Sequence, residues 1–333
     1  MRKLNTITDI PGIKVGHASN FKALTGCTVI LCEEGAAGVV DIRGTASGTR
    51  QTDALSPLHL VDKIHAILLS GGSAFGLDAA GGVMEYLEER GKGFDVIKTK
   101  IPIVPAAVIF DLGVGDFRVR PDRQMGYQAC LNASGKVEEG SVGAGTGATV
   151  GKLFGIDRAM KGGVGTSSVR GPNGLIVGAL TVVNAFGDVL DPDTRQIIVG
   201  ARKSKRSFGM ANSSKWIKQG VTRKPFGTFR STPSNTTLGV VATNANLSKK
   251  ELYQVAQIAH SGLAKVISPL HTTADGDMIF AISCGKKKAD ANTIGLLGEE
   301  ALIESVKRAV TKADGFGVIP AYKDAKVAIS ASK

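Results

Sequence analysis

Residues 234–243 read Ser-Asn-Thr-Thr-Leu-Gly-Val-Val-Ala-Thr, a polar step followed at once by an apolar run. The run 238–243 is rich in valine and threonine, which is typical of a buried strand. The Asn235-Thr236 bond then lies at the mouth of that strand, where the Thr236 hydroxyl can be aimed at the carbonyl before it. Taken alone, an Asn-Thr step marks a turn before a strand more often than a processing site, so the remaining sequence has to decide.

Attack of Thr236 on the Asn235 carbonyl would convert the peptide bond into an ester, and water would complete the cut. Thr236 would then be a new N-terminus that carries a hydroxyl and its own base, because an α-amino group titrates near ~8 and a lysine near ~10. This is the N-terminal threonine arrangement of covalent catalysis. The hypothesis divides the chain into an α chain, residues 1–235, and a β chain, residues 236–333.

Composition predicts one large domain, because no Pro/Ser linker or charge block divides the 333 residues. The four cysteines form no Cys-x-x-Cys pair and the first residues lack an apolar signal, which favours a cytoplasmic protein with free thiols. The longest apolar stretch, residues 101–110, is short and holds Pro102 and Pro105. We therefore expect no association with a membrane.

The net charge of +12 is concentrated in residues 201–230, which hold nine Lys/Arg and no acid. Such a patch can bind nucleic acid, or it can be a solvated loop ahead of the predicted cut. Only Trp216 and a few phenylalanines accompany the charges, and no recognition motif does. We favour the loop and expect no nucleic-acid partner.

The apolar pattern predicts a layered α/β fold with mixed strand order. Short β-rich runs bounded by glycine need cover on both faces; they are residues 27–32, 38–42, 65–69, 175–184, 238–243 and 278–283. The predicted covering helices are residues 73–90, 125–133, 248–266 and 295–313. Ser248 and Glu251 have the spacing of a capping box at the start of the third helix.

Two glycine-rich loops are candidate binding elements. Residues 143–148 match the dinucleotide fingerprint but lack a preceding strand, so they favour the lining of a substrate cleft and not a nucleotide cofactor. Residues 70–76 follow an apolar run; they form either a tight turn or a set of amides that bind a carbonyl or an anion. They are not Gly-x-Ser-x-Gly, which argues against an α/β-hydrolase. The substrate-binding candidates are Ser70, Gly71, Gly72, Ser73 and Gly145.

Several polar residues could serve a hydroxyl nucleophile. Asp275 and Asp277 precede an apolar run, where two carboxylates on one side of a strand could hydrogen-bond the hydroxyl or its ammonium, although the pattern also fits a plain turn. Lys161 and Asn184 could each serve an oxyanion. His271 lies near the acidic pair and could equally be a turn residue. The five histidines lack ligand spacing, so we expect no metal site and no Ser-His-Asp triad.

Five stretches in one order carry a resemblance to a known family: TDIPGIKVGH (8–17), SGGSAFGL (70–77), PIVPAAVIFDLG (102–113), GAGTG (143–147) and NTTLGVVATN (235–244). They resemble the self-processing aminopeptidases and amide hydrolases, which include β-aminopeptidases, D-/L-aminopeptidases and endo-type 6-aminohexanoate-oligomer (nylon oligomer) hydrolases. The resemblance implies a four-layer αββα sandwich like that of N-terminal-nucleophile hydrolases, with α and β chains that stay together. It implies no cofactor and no metal, and we also expect a homo-oligomer.

Carried over by position, the resemblance implies that Thr236 is the nucleophile and that Asn235-Thr236 is the cut bond. The other residues with an implied role are Asn184 and Tyr127, which donate to the oxyanion or position substrate, and Lys161, Asp275 and Asp277, which tune the nucleophile. β-Aminopeptidases of the family carry Ser and Ser-x-Glu at the corresponding positions. The Thr and Asp-x-Asp of this chain look like the nylon-oligomer hydrolases.

The sequence therefore predicts an amide hydrolase that acts through an acyl-enzyme on Thr236, with linear aliphatic amide oligomers as substrates. Three alternatives remain open at this point. The first is an aminopeptidase that releases N-terminal D-, L- or β-amino acids on the same scaffold. The second is a threonine-nucleophile acetyltransferase of arginine synthesis, and the third is a binding protein without activity.

Overall fold

The computed structural model describes residues 5–222 and 235–331. Its strands are β1 (Lys14–Asn20), β2 (Thr25–Ile42), β3 (Thr49–Arg50), β4 (Lys63–Ser70), β5 (Phe94–Asp95), β6 (Lys100–Ile101), β7 (Ala106–Val108), β8 (Thr149–Val150), β9 (Met160–Lys161), β10 (Gly163–Arg170), β11 (Ile176–Asn184), β12 (Asp188–Leu190), β13 (Ile197–Val199), β14 (Thr236–Ala245), β15 (Ile267–Ser268) and β16 (Met278–Lys287). Its helices are α1 (Ala79–Glu88), α2 (Arg123–Leu131), α3 (Ser213–Lys218), α4 (Lys249–Val266), α5 (Ala291–Thr311) and α6 (Tyr322–Ala331).

One nine-stranded sheet forms the centre, in the order β10-β11-β14-β16-β2-β4-β7-β3, with β1 paired to β2. The long strand β2 joins its two halves: residues 27–31 pair with β4, and residues 37–42 pair with β16. The pairing of β2 with β4 shifts between Leu31 and Ala36. We call β10, β11, β14, β16 and residues 37–42 the first half-sheet, and β1, residues 25–31, β4, β7 and β3 the second half-sheet.

Alternating side chains show that the two half-sheets face each other. Leu238 and Phe280 of the first half-sheet share one core cluster with Ile67 and Ile30 of the second. Because successive strand residues point to opposite faces, the neighbouring Ile279 belongs to a different cluster. The middle of the molecule is therefore a core between two layers of strand.

Helices cover the two outer faces. On the first half-sheet, α4 and α5 contribute residues such as Val255 and Leu302 to the cluster that holds Ile279. On the second half-sheet, α1 and α2 contribute residues such as Val83 and Ala129 to a third cluster. The layer order is helix, strand, strand, helix, so the predicted αββα sandwich is confirmed.

Most predicted elements are present, and the differences have local causes. The capping box of Ser248 and Glu251 is formed at the start of α4. The runs 27–32 and 38–42 are parts of one strand, β2. The helix predicted over residues 73–90 begins as a 3₁₀ turn at Ser73–Asp78 and becomes α1 only afterwards. Ser73 has φ +54°, which an α-helix does not accept.

The basic segment is more structured than the predicted loop as far as the structure describes it. Residues 213–218 form α3, and Arg202 is buried, with its guanidinium donating to the carbonyl oxygens of Asp157 and Lys205 at 2.7 Å each. Residues 223–230 of the segment lie outside the described residues. In residues 5–222 and 235–331, no helix has the length and apolar character needed to cross a membrane.

Candidate active site

Thr236 opens β14 in the interior of the sandwich. The strand lies between β11 and β16, with Thr236 opposite Asn184 and Leu238 opposite Met278. Asn235 forms a single parallel bridge with Asp275. Only 2% of Thr236 and none of Asn235 is exposed. The predicted cut bond is thus buried where three neighbouring strands bring Thr236, Asn184 and the acidic pair together.

The carbonyl oxygen of Asn235 accepts two hydrogen bonds, one of them from the Thr236 hydroxyl. The Thr236 hydroxyl donates to the Asn235 carbonyl oxygen at 2.6 Å, and the Gly276 N–H donates to the same oxygen at 2.7 Å. The Gly276 amide therefore lies where an oxyanion would form if the hydroxyl attacked the carbonyl carbon. A Cβ on Gly276 would lie 2.9 Å from the Thr236 Oγ1 and 2.6 Å from the carbonyl oxygen of Ala46, so only glycine permits this approach.

Asp277 links the nucleophile strand to a histidine. Its Oδ1 accepts the N–H of Thr237 at 2.6 Å, and its Oδ2 accepts the backbone N–H of His271 at 3.1 Å. The His271 Nδ1 lies 3.0 Å from the same Oδ2. The side chain of Asp277 is fully buried. Asp277 thus fixes the peptide that follows Thr236, and its hydrogen bonds are to nitrogen donors.

Asp275 is buried beside Asp277 and accepts three hydrogen bonds. Its Oδ2 accepts the N–H and the hydroxyl of Thr272 at 2.9 and 2.6 Å, and its Oδ1 accepts the Phe186 N–H at 3.4 Å. Burial, and then the charge of Asp277, raise the pKa of Asp275 to about 6. A carboxyl group with a pKa near the working pH can exchange a proton during a reaction. Asp275 is therefore a candidate for proton exchange, and its role stays a prediction.

The side chain of Asn184 contacts a buried lysine, Lys152, that the sequence patterns did not identify as functional. Its Nδ2 donates to the Phe110 carbonyl oxygen at 3.2 Å, and its Oδ1 accepts from the Lys152 Nζ at 2.7 Å. Lys152 also donates to the Asn184 carbonyl oxygen at 2.8 Å and is 1% exposed. In the sequence, Lys152 lies among the apolar residues Val150, Leu153 and Phe154. A lysine that is buried with such residues needs specific acceptors for its ammonium group, so this position was the signal that could have identified the contact.

Lys161 is also fully buried but serves the glycine loop. Its three ammonium hydrogens have acceptors in the carbonyl oxygens of Thr146, Ala148 and Gly145, at 2.8, 3.0 and 3.3 Å. Burial lowers the pKa of Lys161 to about 7. These hydrogen bonds tie Lys161 to the loop, in which Gly145 is buried. The lysine that contacts Asn184 is therefore Lys152, and the implied tuning of Thr236 by Lys161 stays a prediction from the resemblance.

The backbone amides of the turn after β4 donate hydrogen bonds to acceptors within the protein. Ser70 is buried, and its hydroxyl donates to the Gly71 carbonyl oxygen at 3.1 Å. The amides of Gly71, Gly72 and Ser73 donate to Gly26 O, Asp111 Oδ1 and Ile109 O, at 2.9, 2.7 and 3.0 Å. These three amide hydrogens thus already have acceptors within the protein, and substrate binding by residues 70–73 stays a prediction. The tight-turn interpretation of residues 70–76 accounts for the structure.

Tyr127 lies in a different layer. It belongs to α2, on the outer face of the second half-sheet, and its hydroxyl donates to Glu89 at 2.7 Å. Its ring packs edge-on against Tyr86, with centroids 5.8 Å apart. None of these contacts connects Tyr127 to the Thr236 cluster. Its place in a reaction stays a prediction from the resemblance.

The arrangement of layers has a known structural counterpart. The L-aminopeptidase D-Ala-esterase/amidase from Ochrobactrum anthropi, described as a variant of the Ntn hydrolase fold, superposes with a TM-score of 0.70 at 16% identity. The match covers 99% of this chain and 94% of that one. The chain therefore has the fold of the N-terminal-nucleophile hydrolases.

Sequence comparison gives the family. The model of peptidase family S58 matches residues 5–325. A Mycobacterium tuberculosis protein described as an uncharacterized aminopeptidase is 39% identical, over 96% of this chain and 98% of that protein. A 6-aminohexanoate-oligomer endohydrolase from Kocuria sp. is 31% identical, over 90% of this chain and 84% of that enzyme. The chain belongs to peptidase family S58 and is a hydrolase of amide bonds.

Proposed function

We propose that the chain cuts itself between Asn235 and Thr236, and that the freed Thr236 is the nucleophile of an amide hydrolase. The observation that carries this proposal is the pair of hydrogen bonds on the Asn235 carbonyl oxygen, one from Thr236 and one from Gly276. The first places the attacking hydroxyl beside its target, and the second supplies a donor for the charge that attack creates.

In the first reaction, the Thr236 Oγ1 bonds to the Asn235 carbonyl carbon while its proton passes to a base, and the C–N bond breaks as the leaving nitrogen gains a proton. Water then hydrolyses the resulting ester. In the second reaction, the new α-amine takes the hydroxyl proton as Thr236 attacks a substrate amide, and the amine product departs with that proton. Water releases the acyl group. Asp275, with a pKa of about 6, is the nearby group best suited to proton exchange.

We propose linear aliphatic amide oligomers as the substrates, cut internally. The Kocuria relative is an endohydrolase of 6-aminohexanoate oligomers, and this chain has Thr236 with Asp275 and Asp277. The second candidate is an aminopeptidase, because the more similar mycobacterial protein is described as one. An enzyme that reads a free terminal amine needs a fixed counter-charge for it, whereas all four carboxylate oxygens of the acidic pair already accept hydrogen bonds from the protein.

Substrates with blocked amines distinguish the endohydrolase from the aminopeptidase. Processed enzyme is incubated with 6-aminohexanoate oligomers whose amines are free or acetylated, and the products are resolved by mass spectrometry. We expect internal fragments from both sets. Release of monomer alone, and only from free amines, would reject the endohydrolase and support the aminopeptidase.

Gly276→Ala tests the observation on which self-cleavage rests. The added methyl would meet the Thr236 Oγ1 at 2.9 Å and the Ala46 carbonyl oxygen at 2.6 Å, so we expect cleavage slower by roughly 10²-fold or more, the scale of losing a positioned oxyanion donor. The rate is followed as loss of full-length chain on denaturing gels. Gly135→Ala is the control, because a Cβ there meets nothing within 4 Å. Equal rates for both variants would contradict the assignment.

Asn184→Ala should lower kcat by on the order of 10² to 10³ with little change in KM, the scale for a residue that stabilises the transition state. The amide orients Lys152 and the Phe110 carbonyl beside Thr236. Asn244→Ala is the control. The side chain of Asn244, in β14, also contacts the neighbouring segment: it accepts from the Ile176 N–H and donates to the Gly174 carbonyl oxygen, at the end of β11 opposite to Asn184. An effect of Asn184→Ala confined to KM would assign Asn184 to substrate binding.

The two buried lysines should respond differently to methionine. Lys152→Met removes the cation from Asn184, so we expect kcat to fall by on the order of 10². Lys161→Met leaves three loop carbonyls without their donor, so we expect a lower melting temperature with kcat per folded molecule within a few-fold of the parent. Thermal melts and steady-state kinetics on the same samples measure both. The reverse pattern would return the functional role to Lys161.

A further inference from the structure

His271 holds one oxygen of Asp277 with two donors. Its backbone N–H and its Nδ1 lie 3.1 and 3.0 Å from the Asp277 Oδ2. The other oxygen of Asp277 accepts the Thr237 N–H at 2.6 Å. A carboxylate that is held at one oxygen by two donors cannot rotate without breaking both bonds. The side chain of His271 thereby directs the Oδ1 of Asp277 onto the peptide that follows Thr236.

A second histidine packs against the ring of His271. His260 of α4 packs edge-on against it, with ring centroids 4.9 Å apart. The Nε2 of His260 lies 3.2 Å from the backbone carbonyl oxygen of Asp41, which can only accept, so that nitrogen carries the hydrogen. Burial lowers the pKa of His260 to about 4, so His260 is a neutral support at working pH.

The contacts also assign the tautomer of His271. A carboxylate is an acceptor only, so the hydrogen of a neutral His271 ring is on Nδ1, which faces Asp277. The Nε2 of His271 is buried and has no hydrogen-bond partner among the described residues. A hydrogen on Nε2 would leave a buried donor unsatisfied, which is costly. Both observations favour the Nδ1–H form.

We propose that His271 is the positioning residue for Asp277, and that through Asp277 it keeps Thr236 aligned for both self-cleavage and turnover. The inference rests on the proposed function. It gives His271 a positioning role, whereas the sequence alone was equally consistent with a turn residue. His271 does not touch Thr236, so its effect passes through the carboxylate. Its backbone has φ +55°, a conformation that asparagine tolerates better than most residues.

Loss of the His271 ring should leave the Asp277 carboxylate less firmly held. Without the Nδ1–H, the Oδ2 of Asp277 keeps only the backbone N–H of His271, and the Oδ1 is less firmly directed onto the Thr237 N–H. The loss should therefore appear in kcat and not in KM, because the substrate contacts themselves are unchanged.

Three substitutions test the role. His271→Ala removes the ring donor, His271→Gln moves a donor outward to the Nε2 position, and His271→Asn keeps an N–H donor near the Nδ1 position. We expect His271→Ala and His271→Gln to lower kcat by about 10- to 100-fold with KM within about threefold. His271→Asn should rescue the activity to within about fivefold of the parent. His65→Ala, which removes a buried histidine on β4, is the control.

Melting temperatures separate positioning from folding. A parental kcat in His271→Ala would overturn the proposal. Equal losses of kcat in His271→Asn and His271→Ala, accompanied by equal drops in melting temperature, would overturn it as well. A chain that neither cuts itself nor hydrolyses amides would instead reject the proposed function. In that case ¹⁵N NMR of the His271 ring in the Thr236→Ala chain still decides the inference: a hydrogen on Nδ1 supports it, and a hydrogen on Nε2 overturns it.

Discussion

Replacing Thr236 by alanine should leave a single chain of 333 residues that hydrolyses no amide. The Thr236 Oγ1 is the hydroxyl that contacts the Asn235 carbonyl oxygen, at 2.6 Å, and alanine has no oxygen with which to attack. Thr236→Ser keeps the oxygen and loses only a methyl group, so it should retain part of both self-cleavage and hydrolysis. Denaturing mass spectrometry measures the first activity, and release of amine from an amide substrate measures the second.

The neighbouring threonine supplies the matched control. Thr237 is equally buried, and its hydroxyl has no hydrogen-bond partner among the described residues. Thr237→Ala should therefore still cut itself and turn over substrate. Cleavage of the Thr236→Ala chain at the same bond, or loss of both activities in Thr237→Ala alone, would show that the nucleophile lies elsewhere.

Neutralising either member of the acidic pair should cost roughly 10² to 10⁴ in kcat, the usual contribution of a positioned acid-base partner. In Asp277→Asn, one of the two acceptor oxygens becomes an NH₂ group that faces either the Thr237 N–H or the two donors of His271. In Asp275→Asn, the group whose pKa lies at about 6 no longer titrates. The loss should therefore include the acidic limb that Asp275 contributes to the pH profile.

Asp188→Asn separates this effect from the general cost of changing a buried carboxylate. Asp188 is buried and accepts from the amides of Ala201 and Ser213 and from the Ser213 hydroxyl, at 2.8, 2.6 and 2.9 Å. We expect a lower melting temperature with kcat per folded molecule within tenfold of the parent. If Asp275→Asn and Asp277→Asn keep near-parental turnover and stability, the Asp-x-Asp segment is only a turn.

Local patterns in the sequence predicted much of the fold and the centre of the site. Hydrophobic runs identified β14 and β16, the capping box fixed the start of α4, and the Asn-Thr step and the Asp-x-Asp segment lay at the mouths of neighbouring strands. These features depend on residues a few positions apart. Each therefore leaves a signal that periodicity and end-capping rules can read.

Contacts set by distant pairing could not be predicted in this way. Lys152 and Lys161 both lie in glycine-rich surroundings, and the short pair β8 and β9 brings their segments side by side. In the folded chain, Lys152 donates to Asn184 at the end of β11, while Lys161 donates to carbonyl groups of the glycine loop. Similarly, the donor role of Gly276 depends on the bridge between Asn235 and Asp275, 40 positions apart.

The glycine turn at residues 70–73 shows why the sequence left two interpretations of its amides open. The sequence correctly placed a turn between β4 and the following 3₁₀ turn. It could not show that Asp111 and two distant carbonyl groups already accept from these amides. Whether a loop amide is available to a ligand depends on its acceptors in the folded chain.

The most direct measurement is the intact mass of the purified protein under denaturing conditions, after incubation at neutral pH without added protease. Self-cleavage predicts two species, of 235 and 98 residues, and the smaller one should begin with Thr236 when its N-terminus is sequenced. A preparation that hydrolyses amide oligomers while it remains one species of 333 residues would contradict the account, because Thr236 would then have no free amine.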